Sequence, residues 1–295
     1  MIEDILYKEL VKIVGEYLAN KDGIPAIFYK EAPPDTDGWK GEKQYPRLDY
    51  YTEYKYNSER NTSGTLVINI WQLQNKKVSS EDIAEIIRPK LDGLFITDDI
   101  GTISLAWNIT NSWSIGKEAP LIAGSSLIFD IYAYPVVRLP DGLDPIYSIS
   151  QYSKEKLHDL KVIGIDELPE TYKGNILYWY IRDTKVSIDD SIYACTWIDT
   201  SIIGQLAGDN IDINLAKLSR NIALDQEFIL EDTSPFFVED FKTEKGISTG
   251  QVTVLGRYGV LRNVEVRLPL TNIYIKAEID KRRVNIGSKK IGTDK

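Results

Sequence analysis

The stretch Thr65–Leu94 constrains the fold of this chain more than any other, because it joins a strand to a helix across a short polar break. Thr65–Leu73 is rich in β-branched and aromatic residues and contains neither Gly nor Pro, the composition of a strand. Alternation places Leu66, Ile68 and Ile70 on one side and Val67, Trp71 and Leu73 on the other, with Asn69 between them. Apolar residues on both sides predict a strand covered on both faces. A helix is predicted over Ser80–Asp92. Ser79 or Ser80 is placed to cap it, and Glu81 and Asp82 lie in the first turn, where carboxylates favour the N-terminal dipole. Ile83, Ile86, Ile87, Lys90 and Leu91 trace one stripe at helical spacing, and Gly93 is a natural stop. One side of this helix is therefore committed to a sheet, which neighbouring strands must supply.

Those neighbours are legible. Glu3–Leu18 carries Ile5, Leu6, Leu10, Ile13, Val14, Tyr17 and Leu18 at helical spacing. Ile24–Tyr29 is a short extended segment, since Pro25 disfavours helix before it. Glu31–Gln44 reads as a polar surface loop whose Trp39 folds back onto its own domain. Tyr45–Tyr56 is the next strand, and a polar turn at 57–64 makes it a hairpin with Thr65–Leu73. Leu94–Ile96 and Thr102–Trp107 read as short strands around a turn containing Asp98 and Asp99, and Ser125–Tyr134 closes the set. The expected architecture is α+β, a single N-terminal sheet packed with two helices and followed by a β-rich second domain.

A chain of 295 residues exceeds what one core usually organises, which favours two domains. Pro135, Pro140, Gly142 and Pro145 crowd one stretch and mark the boundary. The expected division is a first domain over 1–137, a Pro/Gly linker over 138–146, a β-rich domain over 147–280 and a basic tail over 281–295. In the second half Asn175–Arg182, Ser191–Ile198, Gln226–Leu230, Gly250–Leu255, Asn263–Leu268 and Asn272–Ile279 read as strands, with short helices at Lys154–Leu160 and Leu215–Ala223. The tail gathers Lys281, Arg282, Arg283, Lys289, Lys290 and Lys295 on a chain whose net charge is −9.

That acidic balance argues against a broad nucleic-acid-binding face, and no apolar run approaches the roughly 20 residues that span a bilayer. No signal-peptide pattern opens the sequence, and one cysteine, Cys195, excludes an internal disulfide framework, so synthesis and assembly in a cytoplasm are expected. His158 is the sole imidazole and lies among charged residues with no nucleophile motif near it. Asp98–Asp99 and Asp189–Asp190 read as turn caps, and Gly256–Gly259 as a hairpin turn, since no strand–GxGxxG–helix context surrounds it. No catalytic residue, cofactor or metal is expected. Tyrosines crowd Tyr45–Tyr56, and Tyr178, Trp179 and Tyr180 adjoin one another. Such rows bind sugars or partner proteins when exposed, and pack across strands when buried.

The element order of residues 1–137 resembles the tail terminator, or tail-completion, proteins of long-tailed bacteriophages and phage-tail-like particles. The carrying features are the opening helix, Ile24–Phe28, the loop to Tyr45–Leu48, the hairpin to Trp71–Leu73, the helix Ser80–Asp92 and the closing strand Leu127–Tyr134. The resemblance implies a ring, commonly a hexamer, that caps the tail tube, stops its polymerisation and joins the tail to the neck. Its partners would be further copies, the tail tube protein, and sheath and neck proteins. The extra β-rich domain departs from the compact members and is similar to the larger terminators of contractile tails. On this reading Trp71 and Leu73 lie at a subunit contact, and Arg282, Arg283, Lys289 and Lys290 dock on an acidic partner surface. Two alternatives remain, another neck or baseplate component, and a receptor- or carbohydrate-binding module.

Overall fold

The computed structural model of the protein describes residues 1–31, 41–58, 62–74, 78–99, 101–116, 121–135, 144–192, 195–246, 249–261, 276–279 and 282–285. Helix α1 (Ile2–Val14) opens the chain, and a 3-10 turn leads to the ladder of β1 (Asn20–Lys21) and β2 (Ile24–Pro25). Then follow β3 (Ile27–Tyr29), β4 (Arg47–Glu53), β5 (Gly64–Leu73), α2 (Ser80–Leu91), β6 (Phe95–Thr97), β7 (Thr102–Ile115) and β8 (Ile122–Tyr134). The second half holds α3 (Pro145–Lys156), β9 (Lys161–Val162), β10 (Thr171–Tyr172), β11 (Ile176–Ile192), β12 (Cys195–Ala207) and α4 (Ile211–Asp225). It ends with β13 (Glu227–Ile229), β14 (Pro235–Lys245), β15 (Thr249–Leu261) and the short hairpin β16 (Lys276–Ile279) and β17 (Arg282–Asn285). The α+β architecture with a β-rich second half is as the sequence indicates.

Two sheets organise these elements. The first has seven strands in the order β10-β6-β7-β8-β5-β4-β3, with β5 near its centre, paired to β4 and β8. Both N-terminal helices lie on one face. Ile5, Leu6, Leu10 and Val14 of α1 and Ile83, Ala84, Ile87 and Leu91 of α2 share one core with Leu66, Ile68, Ile70, Leu127 and Phe129. The Ser79 hydroxyl accepts from the Asp82 N–H at 3.0 Å, and the Asp82 carboxylate accepts from the Ser79 N–H at 3.0 Å, a reciprocal cap that fixes where α2 begins.

The opposite face of this sheet is half-open, which corrects the expectation of cover on both sides: Val67, Asn69 and Trp71 are only partly buried. Polar Asn69 and the ring–ring contact of Trp71 shield that face without a helix. Strand β7 also runs to Ile115, well past Trp107. A bulge between Trp107 and Ile109 leaves Asn108 without a counterpart on β8.

The second sheet has six strands in the order β13-β14-β15-β12-β11-β9. Helices α3 and α4 cover one of its faces through Ile149, Leu157, Leu218 and Ile222, packed on Leu177, Trp179, Ile202, Val252 and Phe236. Helix α3 begins at Pro145, inside the expected linker, because the Asp144 carboxylate accepts from the Ile146 N–H at 2.9 Å and proline suits a first helical turn. The segment Ser191–Ile198 is not one strand. It straddles the reversal between β11 and β12, where Ile192 pairs with Cys195 and no Gly, Pro or Asn marks the turn. Asp189 and Asp190 accordingly lie in β11 rather than in a turn.

Gly256–Gly259 is likewise no hairpin. It runs through β15, where a Cβ on Gly256 would come within 2.2 Å of the Phe236 ring, so that glycine is there for close aromatic packing. The Asp98 carboxylate does cap its turn, accepting from the Gly101 N–H at 3.2 Å. Asn263–Leu268 and Trp39 lie outside the described residues.

The two sheets meet at an aromatic seam. Strand β10 belongs to the second half yet pairs antiparallel with β6 of the first sheet. Phe95, Tyr134, Ile163, Ile176 and Tyr178 pack there in a separate cluster, and the Tyr178 hydroxyl donates to the Pro135 carbonyl at 2.7 Å.

Candidate functional site

The open face of the seven-stranded sheet is built from four strands whose register sets side chains in rows. One row runs Arg47, Trp71, Gly124, Trp113, and the next Asp49, Asn69, Ser126, Asn111. Gly124 makes the first row possible. A Cβ at that position would lie 2.3 Å from the Trp113 ring, and its absence lets Trp113 reach across β8 to Trp71, with centroids 4.5 Å apart in an edge-to-face contact. The Arg47 guanidinium lies over both the Trp71 ring, at 5.0 Å, and the Tyr45 ring, at 5.1 Å, and donates to Gln44.

A chain of hydrogen bonds underlies these rings. The Trp113 indole N–H donates to the Ser126 hydroxyl at 2.9 Å, and that hydroxyl donates to the Asn69 carbonyl oxygen at 2.7 Å. The Asn69 amide donates to one oxygen of Asp49 at 2.8 Å, while the Trp71 indole N–H donates to the other. Burial of Asp49, only 6 % exposed, pushes its carboxyl above the usual carboxylate range, against the pull of Asn69, Trp71 and the Arg47 charge. The arrangement holds two indoles in fixed orientations with their N–H groups satisfied from beneath, so what it offers outward is ring surface. That is a surface for binding. Among the described residues no group of three or more His, Cys, Asp and Glu is placed to hold a metal.

Two further rows of this face are apolar. Tyr51, Val67, Ile128 and Ile109 form one, and Leu73, Ile122 and Ile115 the other. Of the residues singled out from sequence, Trp71 is central to the site. Leu73 lies on the same face but is only 7 % exposed, so its side chain offers little to a neighbour. Arg282 and Arg283 fall in β17, opposite Ile279 and Glu278, and Lys289 and Lys290 lie outside the described residues. His158 is exposed in the turn after α3. The tyrosine rows divide: Tyr50, Tyr178 and Trp179 are buried, with the Tyr50 hydroxyl donating to the Glu3 carbonyl at 2.8 Å, while Tyr45, Tyr51 and Tyr180 are half-buried and Tyr54 and Tyr56 are exposed.

Sequence reasoning passed over Asp49, Ser126 and Trp113, which meet only through the register of separate strands. Asn69, interrupting an apolar strand, was the available signal. Compared with known proteins, the chain matches no family model and no curated protein.

Proposed function

We propose that this chain is a structural subunit that assembles into a ring capping the tail tube of a bacteriophage or phage-tail-like particle, in the bacterial cytoplasm, ending polymerisation and joining tail to neck. The observation that carries the reading is the half-open face of the seven-stranded sheet, with Trp71, Trp113, Val67 and Ile128 presented on a hydrogen-bonded base. Apolar surface of this kind gains about 25 cal/mol per Å² when another surface covers it, and copies in a ring supply such cover to one another. The element order of the first half, which resembles the tail-terminator proteins, supports the same reading. The neighbours are then further copies, the tail tube protein, and sheath and neck proteins at the outer radius.

Light scattering and negative-stain imaging of the purified chain test it. A hollow ring of hexameric mass is expected, and a monodisperse monomer at all attainable concentrations overturns the proposal. Val67→Lys, which places a charge on the face without touching the hydrogen-bond chain, is expected to dissolve the ring and leave the subunit folded by circular dichroism.

A second reading is favoured by one row alone. Tyr45, Arg47, Trp71 and Trp113 present rings and a cation as sugar-binding sites do. Glycan binding by the wild type that is lost in Trp113→Ala, without any ring, is the outcome that selects it.

A further inference from the structure

Three long strands run along sheet edges among the described residues, and they differ in charge. Strand β11 beyond Leu177 carries Arg182, Asp183 and Lys185, and β14 beyond Val238 carries Glu239, Asp240, Lys242, Glu244 and Lys245. Charges of this density keep an edge from pairing with another chain. Strand β7 is bounded on its outer side by β6 only over Thr102–Ser104, with Gly93, Leu94 and the Asp92 carboxylate extending that cover to Trp107. From Ile109 to Ile115 no described strand pairs with its outer side, and the stretch contains no charged residue, no Pro and no Gly.

The backbone phase of this edge follows from its bonds. The Leu105 N–H donates to Leu94, its carbonyl accepts from Gly93, and the Trp107 N–H donates to Asp92, so odd-numbered residues face outward before the bulge. The unmatched Asn108 reverses the phase, and Thr110, Ser112 and Ser114 then turn their N–H and C=O groups away from β8. About Ser112 the outer positions of the edge match, Ile109 with Ile115 and Thr110 with Ser114, while Asn111 stands against Trp113.

We propose that Ile109–Ile115 is a seam at which two copies of this chain join antiparallel, about a two-fold axis through Ser112, into one continuous sheet. In that register Ser112 meets its own copy and Thr110 meets Ser114, three hydrogen-bonding pairs giving about six backbone bonds. On the open face Ile109, 44 % exposed, meets Ile115, 53 % exposed. The apolar row Tyr51, Val67, Ile128, Ile109 thereby continues into Ile115, Ile122, Leu73 of the second copy, and the reverse row does the same. A two-fold contact sets every central residue against itself, so a charge there would oppose its like. Serine at the centre and neutrality on both sides are what such a contact requires. The occupant is thus a second copy of this chain. The inference stands apart from the ring reading and survives its loss.

Cross-linking tests it in a Cys195→Ser background, which removes the chain's single cysteine. Ser112→Cys places two thiols on opposed residues about 5.5 Å apart at Cα, within disulfide reach. Thr110→Cys separates the copies by four residue steps, about 14 Å. Oxidation is expected to link Ser112→Cys into covalent dimers and leave Thr110→Cys unlinked. Ser112→Lys is expected to weaken the pair about tenfold or more, read as a shift to monomer by sedimentation. A monomeric wild type, linking at position 110 as readily as at 112, or a mixed sheet with a foreign strand overturns the seam. A ring whose mass survives Ser112→Lys overturns the seam and leaves the ring reading standing, whereas a linked dimer with no ring does the reverse.

Discussion

Asp49 concentrates the chemistry of the open face in one side chain. Its carboxylate is taken out of water and receives two hydrogen bonds, yet burial still holds its carboxyl above the usual range. A group that binds its proton more tightly folded than unfolded stabilises most when protonated. Stability from this group is therefore fully present below the unfolded carboxylate range, near pH 4, and is lost as pH rises through the higher folded value. Asp49→Asn is expected to remove that acid-side rise from the pH–stability profile. It also leaves one acceptor for two donors, so either the Trp71 N–H or the Asn69 amide goes unpaired, a cost of about 1–3 kcal/mol at neutral pH. Urea titrations from acid to neutral pH check both, and an Asn variant with the wild-type slope refutes the assignment. Trp71 could be singled out from sequence because an apolar strand displayed it. Asp49 and Ser126 could not, since nothing local ties a polar residue on one strand to its counterpart on another.

At the scale of elements, α2 shows how far local signals reach. Its cap, its end and the Ile83, Ile87 and Leu91 part of its stripe were readable, whereas Lys90 is exposed and Ala84 takes a buried place the stripe left out. Ile87 is fully buried against the sheet. Ile87→Ala is expected to cost about 2–5 kcal/mol, as buried Ile truncations do. An unchanged denaturation midpoint would mean that the helix does not pack this way. Strand β7 shows where such signals fail. Thr102–Trp107 announced itself through Ile103, Leu105 and Trp107, but Asn111, Ser112 and Ser114 lack the apolar alternation of a half-buried strand. They are strand residues because β8 pairs with them along their whole length. Tertiary pairing overrode weak propensity there, as glycine's service to Phe236 overrode its turn preference in β15.

For the whole molecule, the change from a helix-packed sheet to a β-rich half was legible after Pro135, but the helix cover and strand order of the second sheet were not. The crossing of β10 onto the first sheet was not, because Thr171 and Tyr172 make a strand too short to carry a pattern. That crossing and the Phe95–Tyr178 cluster bind the two halves. Phe95→Ala is expected to cost about 3–5 kcal/mol and to separate thermal unfolding into two steps, one for each sheet. A single transition at the wild-type midpoint in calorimetry would show that the seam contributes nothing to cooperativity.

The unmatched Asn108 governs parity. Before it, odd-numbered side chains of β7 turn to the helices, as Ile103 and Leu105 do, and after it they turn to the opposite side, as Trp113 does. Deleting that extra residue would restore regular alternation and leave Ile109–Ile115 on the sides they now take. Keeping it in a flattened strand would instead act in space as a frameshift acts in a message: every side chain from Ile109 to Ile115 would change sides at once. Trp113 would leave Trp71, and Ser112 would take its place facing outward. What the far end of this strand displays is therefore set by one residue that β8 leaves unmatched.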